Sequence, residues 1–225
     1  MKKRSVIYLV AICFFTLVFV ACKGQTKKKD NQLNDPQVQG KIVGGGCDGC
    51  EIMYVGMPAD IKPVDTSSGW SEKGQKLLLT GTVYQKDGNT PAPGVIIYYW
   101  QTDNTGHYSP REGMDVKANR HGHIRGWVKT GEKGKYSIYT IRPVPYPNAD
   151  IPAHIHTAIK EPKIKNEYYI DEFVFDEDPI LTDAKRKGFE NRGGSGILKI
   201  RESGNLQIAE HDIILGLNIP DYPKD

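Results

Sequence analysis

Cysteine is scarce in this chain, and the scarcity narrows the chemistry. Four occur in 225 residues, and Cys13 and Cys22 belong to an apolar N-terminal segment. Only Cys47 and Cys50 remain for a folded part, in the stretch GGGCDGCE. With no second cysteine pair, a four-cysteine zinc site is excluded. The glycine-rich surroundings also lack the strand-to-helix setting of a thioredoxin-like redox pair. In an exported protein the default expectation is a Cys47–Cys50 disulfide. A redox pair and half of a metal site are the alternatives.

Long apolar runs are lacking outside residues 5–21. That run follows Lys2, Lys3 and Arg4 and ends in FVAC, the layout of a secretory signal. It is short for a membrane-spanning helix. Ala21 directly before Cys22 resembles a bacterial lipobox, in which Cys22 is lipidated and becomes the mature N-terminus. Residues 23–45 are polar, basic and without apolar periodicity, as expected of a flexible tether. The expected organisation is a signal over 1–22, a tether over 23–45 and one folded domain over 46–225. The expected location is exported and lipid-anchored to a bacterial membrane, periplasmic or at the cell surface.

Net charge is lacking too. Without Lys2, Lys3 and Arg4 the thirty basic residues fall to 27, against 27 acidic ones. A nearly neutral mature chain has no basic footprint for nucleic acid. The oligomeric state is not written in the sequence.

What is present is β pattern. KLLLTGTVY (76–84), VIIYYWQT (95–102), HIRGWVKT (123–130), KYSIYTI (135–141), HIHTAIK (154–160) and YYIDEFVF (168–175) are apolar and rich in β-branched and aromatic residues. GILKIRE (196–202) and LQIAEHDI (206–213) read as a closing hairpin across SGN. Short strands between Gly-rich turns predict an all-β sandwich or barrel. Only 178–188 could hold a short helix. There is no internal repeat.

Two histidines one residue apart, His154 and His156, follow the Pro-rich run RPVPYP. In a strand they share a face, with Ile155 turned into the core. Alone, such a pair points only weakly to a metal. Tyrosines strengthen it. Tyr146 is held extended between prolines, and Tyr108 lies in WQTDNTGHYS on the loop leaving the second strand. A phenolate is a hard donor, suited to Fe(III) better than to Zn(II) or Cu(I). It ionises near neutrality only if a cation draws the proton off. Two tyrosinates, two neutral imidazoles and one hydroxide would balance the charge of Fe(III).

The run VIIYYWQTDNTGHY…GKYSIYTIRPVPYP…PAHIH…DEFVFDEDP resembles the intradiol ring-cleavage dioxygenases, the family of protocatechuate 3,4-dioxygenase and catechol 1,2-dioxygenase, over roughly residues 75 to 215. The resemblance implies an immunoglobulin-like or prealbumin-like β-sandwich. It implies a non-haem Fe(III) held by Tyr108, Tyr146, His154 and His156, with a catechol-type molecule and O2 as partners and a muconate-type product. It also implies that Tyr146 is catalytic, leaving the metal to help take up the substrate's protons. Asn148, Ile151 and Glu172 are implied pocket residues; His107, next to Tyr108, is a further pocket candidate, with a solvated turn residue as the alternative reading. Ile151 stands where the family commonly has arginine, and Glu172 where it has glutamine. An ionised Glu172 would repel an electron-rich ring, and an aliphatic Ile151 cannot stabilise charge. Arg120, Arg125 and Arg142 are candidates to replace it. The alternative is a catechol- or metal-binding lipoprotein on the same sandwich, without ring cleavage.

Other motifs carry less. His121 and His123 in NRHGHIRG form a second H-x-H pair, expected in a glycine-rich surface loop. His211, Trp100 and Trp127 are expected to be structural.

Overall fold

The computed structural model describes residues 42–224. The signal segment, Cys22 and all but the end of the tether lie outside the described residues.

The first sheet is built on Lys76–Tyr84 (β2), whose inward positions Leu77, Leu79 and Val83 are fully buried. It pairs antiparallel with Lys135–Ile141 (β5), which buries Tyr136 and Ile138 on the same alternation. Val64–Thr66 (β1), which the sequence reading missed, lies parallel to β5 at the edge. The hairpin of Ile200–Ser203 (β10) and Leu206–Glu210 (β11) completes the other side, and Ile213–Ile214 (β12) pairs with β2 beyond β11.

The second sheet has the order Arg125–Lys129 (β4), Ile96–Gln101 (β3), His154–Lys160 (β6), Phe173–Phe175 (β8) and Ile197–Leu198 (β9). Tyr168–Tyr169 (β7) also pairs with β6. Ile97, Tyr99, Ile155, Ile159, Phe173 and Phe175 pack with Leu77, Leu79 and Ile138 in one core. The all-β sandwich expectation holds. Among the described residues, no helix is long and apolar enough to cross a membrane.

Three expected elements break up, each for a local reason. The predicted strand 168–175 splits into β7 and β8. Between them the Asp171 carboxylate accepts from the backbone N–H groups of Asn191 and Arg192, which turns the chain. The predicted strand 196–202 splits at Lys199, where the chain passes from the second sheet to the first. The helical stretch shrinks to one turn, Asp183–Arg186, capped by Thr182.

Candidate metal centre

β6 delivers the two histidines to one face. Its register sets His154 opposite Val174 and His156 opposite Trp100, so the His156 ring stacks on the indole at 4.8 Å. Ile155 points into the core, as expected. His154 Nδ1 lies 2.8 Å from the Pro152 carbonyl. His156 Nδ1 lies 2.8 Å from Glu172 Oε1. Both acceptors draw the ring proton to Nδ1 and leave Nε2 as a lone pair. The two Nε2 atoms are 3.1 Å apart.

Two loops bring the phenols to the same point. The Tyr146 hydroxyl is 3.0 Å from His154 Nε2 and 3.4 Å from His156 Nε2. The Tyr108 hydroxyl is 2.8 Å from His156 Nε2 and 2.5 Å from the Tyr146 hydroxyl. The Tyr108 loop is wound around Asp103, whose carboxylate accepts from Thr105, Ser109 and the His107 backbone N–H. Burial pushes the Asp103 pKa up, but these hydrogen bonds overcome it and hold the group at about 2. Gly106 has φ +80° and passes so close to the Pro145 carbonyl that a Cβ would sit 2.4 Å from that oxygen. Only glycine permits this approach of the Tyr108 loop to the Tyr146 segment.

Four donor atoms thus converge, two of them facing lone pairs. Burial raises the phenol pKa values of Tyr108 and Tyr146, and the Glu172 charge pushes both the same way. Burial lowers that of His154, with His156 acting in the same direction. Burial pushes Glu172 up, but His156 outweighs it and leaves the carboxyl below its usual value. The His154 imidazole is therefore poised as a neutral donor, and the phenols remain protonated until a cation displaces their protons. His154, His156 and Glu172 also bring one ligand-type atom each within 4.8 Å of one another. The donor set fits a hard metal ion.

A family profile described as Dioxygenase matches residues 52–192. The chain belongs to the intradiol dioxygenase family. It is 32% identical over 124 residues to 6-chlorohydroxyquinol 1,2-dioxygenase of Cupriavidus pinatubonensis, covering 48% of this chain and 42% of that protein. It is 29% identical over 143 residues to chlorocatechol 1,2-dioxygenase of Rhodococcus opacus, covering 53% and 51%. The matched stretch therefore spans about half or less of these relatives. Among solved structures, the dioxygenase domain of a carbohydrate-binding fusion from Streptomyces sp. SirexAA-E superposes with TM-score 0.52 at 23% identity, over 71% of this chain and 91% of that one. Hydroxyquinol 1,2-dioxygenase from Pseudomonas putida DLL-E4 gives 0.51 at 20% identity, over 70% and 61%. These likenesses agree with the family's sandwich.

Two cavities meet at Glu172. One, of about 310 Å³, is lined by Ile151, Pro152, His154, Val174 and Leu181 besides Glu172. The other, of about 370 Å³, is lined by Trp100, Tyr108, Tyr146, His156 and the Cys47 loop as well as Glu172. Both are within the range of small-molecule sites. Ile151 lines the smaller of these cavities and Glu172 lines both. Glu172 does more than border the pocket: it holds His156, which the sequence reading did not foresee.

Two expected pocket residues are elsewhere. His107 is exposed and turned to Thr105, because the Asp103 cage orients its loop. Asn148 is exposed with φ +61° at the turn after Pro147, and lines neither cavity.

The second histidine pair is no surface loop. His121 is 4% exposed and stacks on Trp100 at 4.0 Å, and it lines the larger cavity. His123 is half-buried between Glu72 and the Ser109 carbonyl. Trp100 is core on one side and the floor under His156 on the other. Trp127 packs in the same small cluster. Of the three arginines considered, only Arg120 lines the larger cavity. Arg125 is bound to the Val55 carbonyl and the Tyr98 hydroxyl, and Arg142 to Glu177. Cys47 and Cys50 form the expected disulfide, with Cα atoms 5.5 Å apart.

Proposed function

We propose that the chain is a non-haem Fe(III)-dependent oxidoreductase that cleaves a catechol-type ring between its two hydroxyls with O2, giving a muconate-type product. The observation that carries this reading is the convergence of two phenol oxygens and two imidazole Nε2 atoms, each within 3.4 Å of at least two of the others. Phenolates suit a hard trivalent ion, and the family membership supports iron in particular. Iron, when bound, would supply Lewis acidity to chelate the two ring hydroxyls and activate the ring toward O2.

The chain's own groups divide the remaining work. Pro152 and Glu172 hold His154 and His156 with Nε2 forward. Tyr108 is fixed by its caged loop. Tyr146 hydrogen-bonds to Tyr108 and His154; once a bound metal had displaced its proton, the phenolate would be the base that takes a proton from an incoming catechol. Val174, Leu181 and Ile151 provide an apolar wall beside His154. The test is oxygen uptake and muconate formation by iron-loaded full-length protein given catechols in air.

Ile151 supports a second reading. It is 44% exposed beside His154 and offers no charge to a polarised ring. Catechol binding with no oxygen consumption would establish a binding protein on the same site. The proposed address is a membrane surface, through a lipid on Cys22. Cys22→Ser should move the protein from the membrane to the soluble fraction.

A further inference from the structure

The two histidines of the centre are backed by different groups. His156 Nδ1 meets the Glu172 carboxylate directly, and that side chain is 44% exposed. His154 Nδ1 lies 2.8 Å from the Pro152 carbonyl. A carbonyl can only accept, so the ring proton is on Nδ1 and Nε2 keeps its lone pair. The same peptide unit has a second partner. Its N–H belongs to Ala153 and donates to Asp178 Oδ2 at 2.8 Å. The Pro152–Ala153 peptide is trans, so its carbonyl and its N–H point to opposite sides of one rigid plane. Asp178 therefore stands behind His154 with a single amide group between them.

The fold holds Asp178 for this contact. Its Oδ1 accepts from the Ile180 N–H at 2.8 Å, its own N–H donates to the Phe175 carbonyl at 3.0 Å, and its carbonyl accepts from the Leu181 N–H at 2.9 Å. The side chain is thus fixed relative to the end of β8, and β8 pairs with the start of β6 where His154 lies opposite Val174. Pro152, Ala153, His154 and Asp178 are all buried. Away from water, a charge at one end of a hydrogen-bond chain polarises the next bond instead of being screened. A carboxylate accepting from the Ala153 N–H leaves more negative charge on the Pro152 oxygen, which then draws harder on the His154 Nδ1 proton. The direct carboxylate–histidine–metal arrangement works in the same sense.

We propose that Asp178 is a positioning residue of the metal centre: acting through the Pro152–Ala153 peptide, its carboxylate fixes the His154 tautomer and strengthens Nε2 as a donor to a bound ferric ion. The proposal rests on the ring-cleavage reading for the metal, and it adds a residue that lines neither cavity at Glu172. Each histidine then has one carboxylate behind it, reached directly by His156 and through an amide by His154.

Two measurements test it without turnover. In iron-free, 15N-labelled full-length protein, NMR should find the His154 ring proton on Nδ1, shifted downfield by its hydrogen bond. Asp178→Asn keeps a side-chain oxygen and removes the charge, and should move that resonance upfield. In iron-loaded protein, Asp178→Asn should bind Fe(III) about tenfold more weakly in competition with a chelator, the scale of an outer partner of a ligating histidine. Its tyrosinate charge-transfer band should move to longer wavelength, because a poorer donor at His154 leaves the iron more electron-poor. Asp178→Glu keeps the charge and should restore the band and most of the affinity, even where melts of the iron-free variants show both substitutions costing the fold alike. An Asn variant with the wild-type band and affinity, or a Glu variant that loses as much as the Asn one, overturns the relay and leaves ring cleavage standing. A wild-type His154 with no proton on Nδ1 does the same, and needs no variant. Wild-type protein that takes up no iron overturns the metal reading and the relay together.

Discussion

Oε1 of Glu172 lies 2.8 Å from Nδ1 of His156, while Nε2 of the same ring meets the Tyr108 hydroxyl at 2.8 Å. A carboxylate behind a ligating histidine orients the ring and raises its basicity. Glu172→Ala should weaken iron binding about tenfold or more, measured by competition with a chelator. Glu172→Gln can still accept from Nδ1 and should lose less. Equal losses would remove the acceptor role.

Tyrosinate bound to ferric iron absorbs visible light by charge transfer. Iron-loaded protein should be wine-red, and Tyr108→Phe should lose much of that colour. Tyr146→Phe should also diminish it, because both hydroxyls face His156 Nε2. A visible spectrum at fixed iron content decides this. Unchanged absorbance in both variants would take the phenols out of the metal shell.

Gly106 is the contact point between the two tyrosine loops. Gly106→Ala introduces a Cβ against the Pro145 carbonyl at positive φ. It should destabilise the fold by more than about 1 kcal/mol and lower iron occupancy with it. Thermal melts and metal analysis read the two effects. Asp103→Ala should act alike, by leaving the Thr105 and Ser109 donors of the same loop unpaired.

His211 gives the fold an acid-sensitive point. It is buried against Phe173. Burial lowers its pKa from 6.5 to about 4, with Asp212 pulling weakly the other way. The folded value lies below the unfolded one, so the contribution is complete above about pH 6.5 and is lost as the pH falls toward 4. By pH 4 the loss from this group is about 3 kcal/mol. Urea unfolding at pH 7 and pH 4.5 should show a smaller difference in His211→Phe than in the wild-type protein.

Strands with clean alternation were legible in the sequence. Lys76–Tyr84, Lys135–Ile141 and His154–Lys160 end where the apolar pattern ends, because local residues decide them. Tyr108, Tyr146, His154 and His156 were legible because each sits in a distinctive local motif. What was missed depends on distant partners. His121 is buried because Trp100 lies beneath it, and no neighbour in NRHGHIRG announces that. Glu172 reads as a pocket carboxylate until the break at Asp171 turns it onto His156. His107 adjoins Tyr108 in sequence, but the Asp103 turn sends the two side chains different ways. Val64–Thr66 is too short to show a pattern and is a strand only by pairing with β5.

The Cys47–Cys50 bond closes the loop that carries Asp48 into the cavity wall. A copy made in a reducing cytosol would keep both sheets and the four converging side chains, but with a slack rim. Iron content and substrate discrimination would then part company in the same preparation. The host chosen for expression becomes an experimental variable, and a thiol count should accompany any comparison of preferred rings.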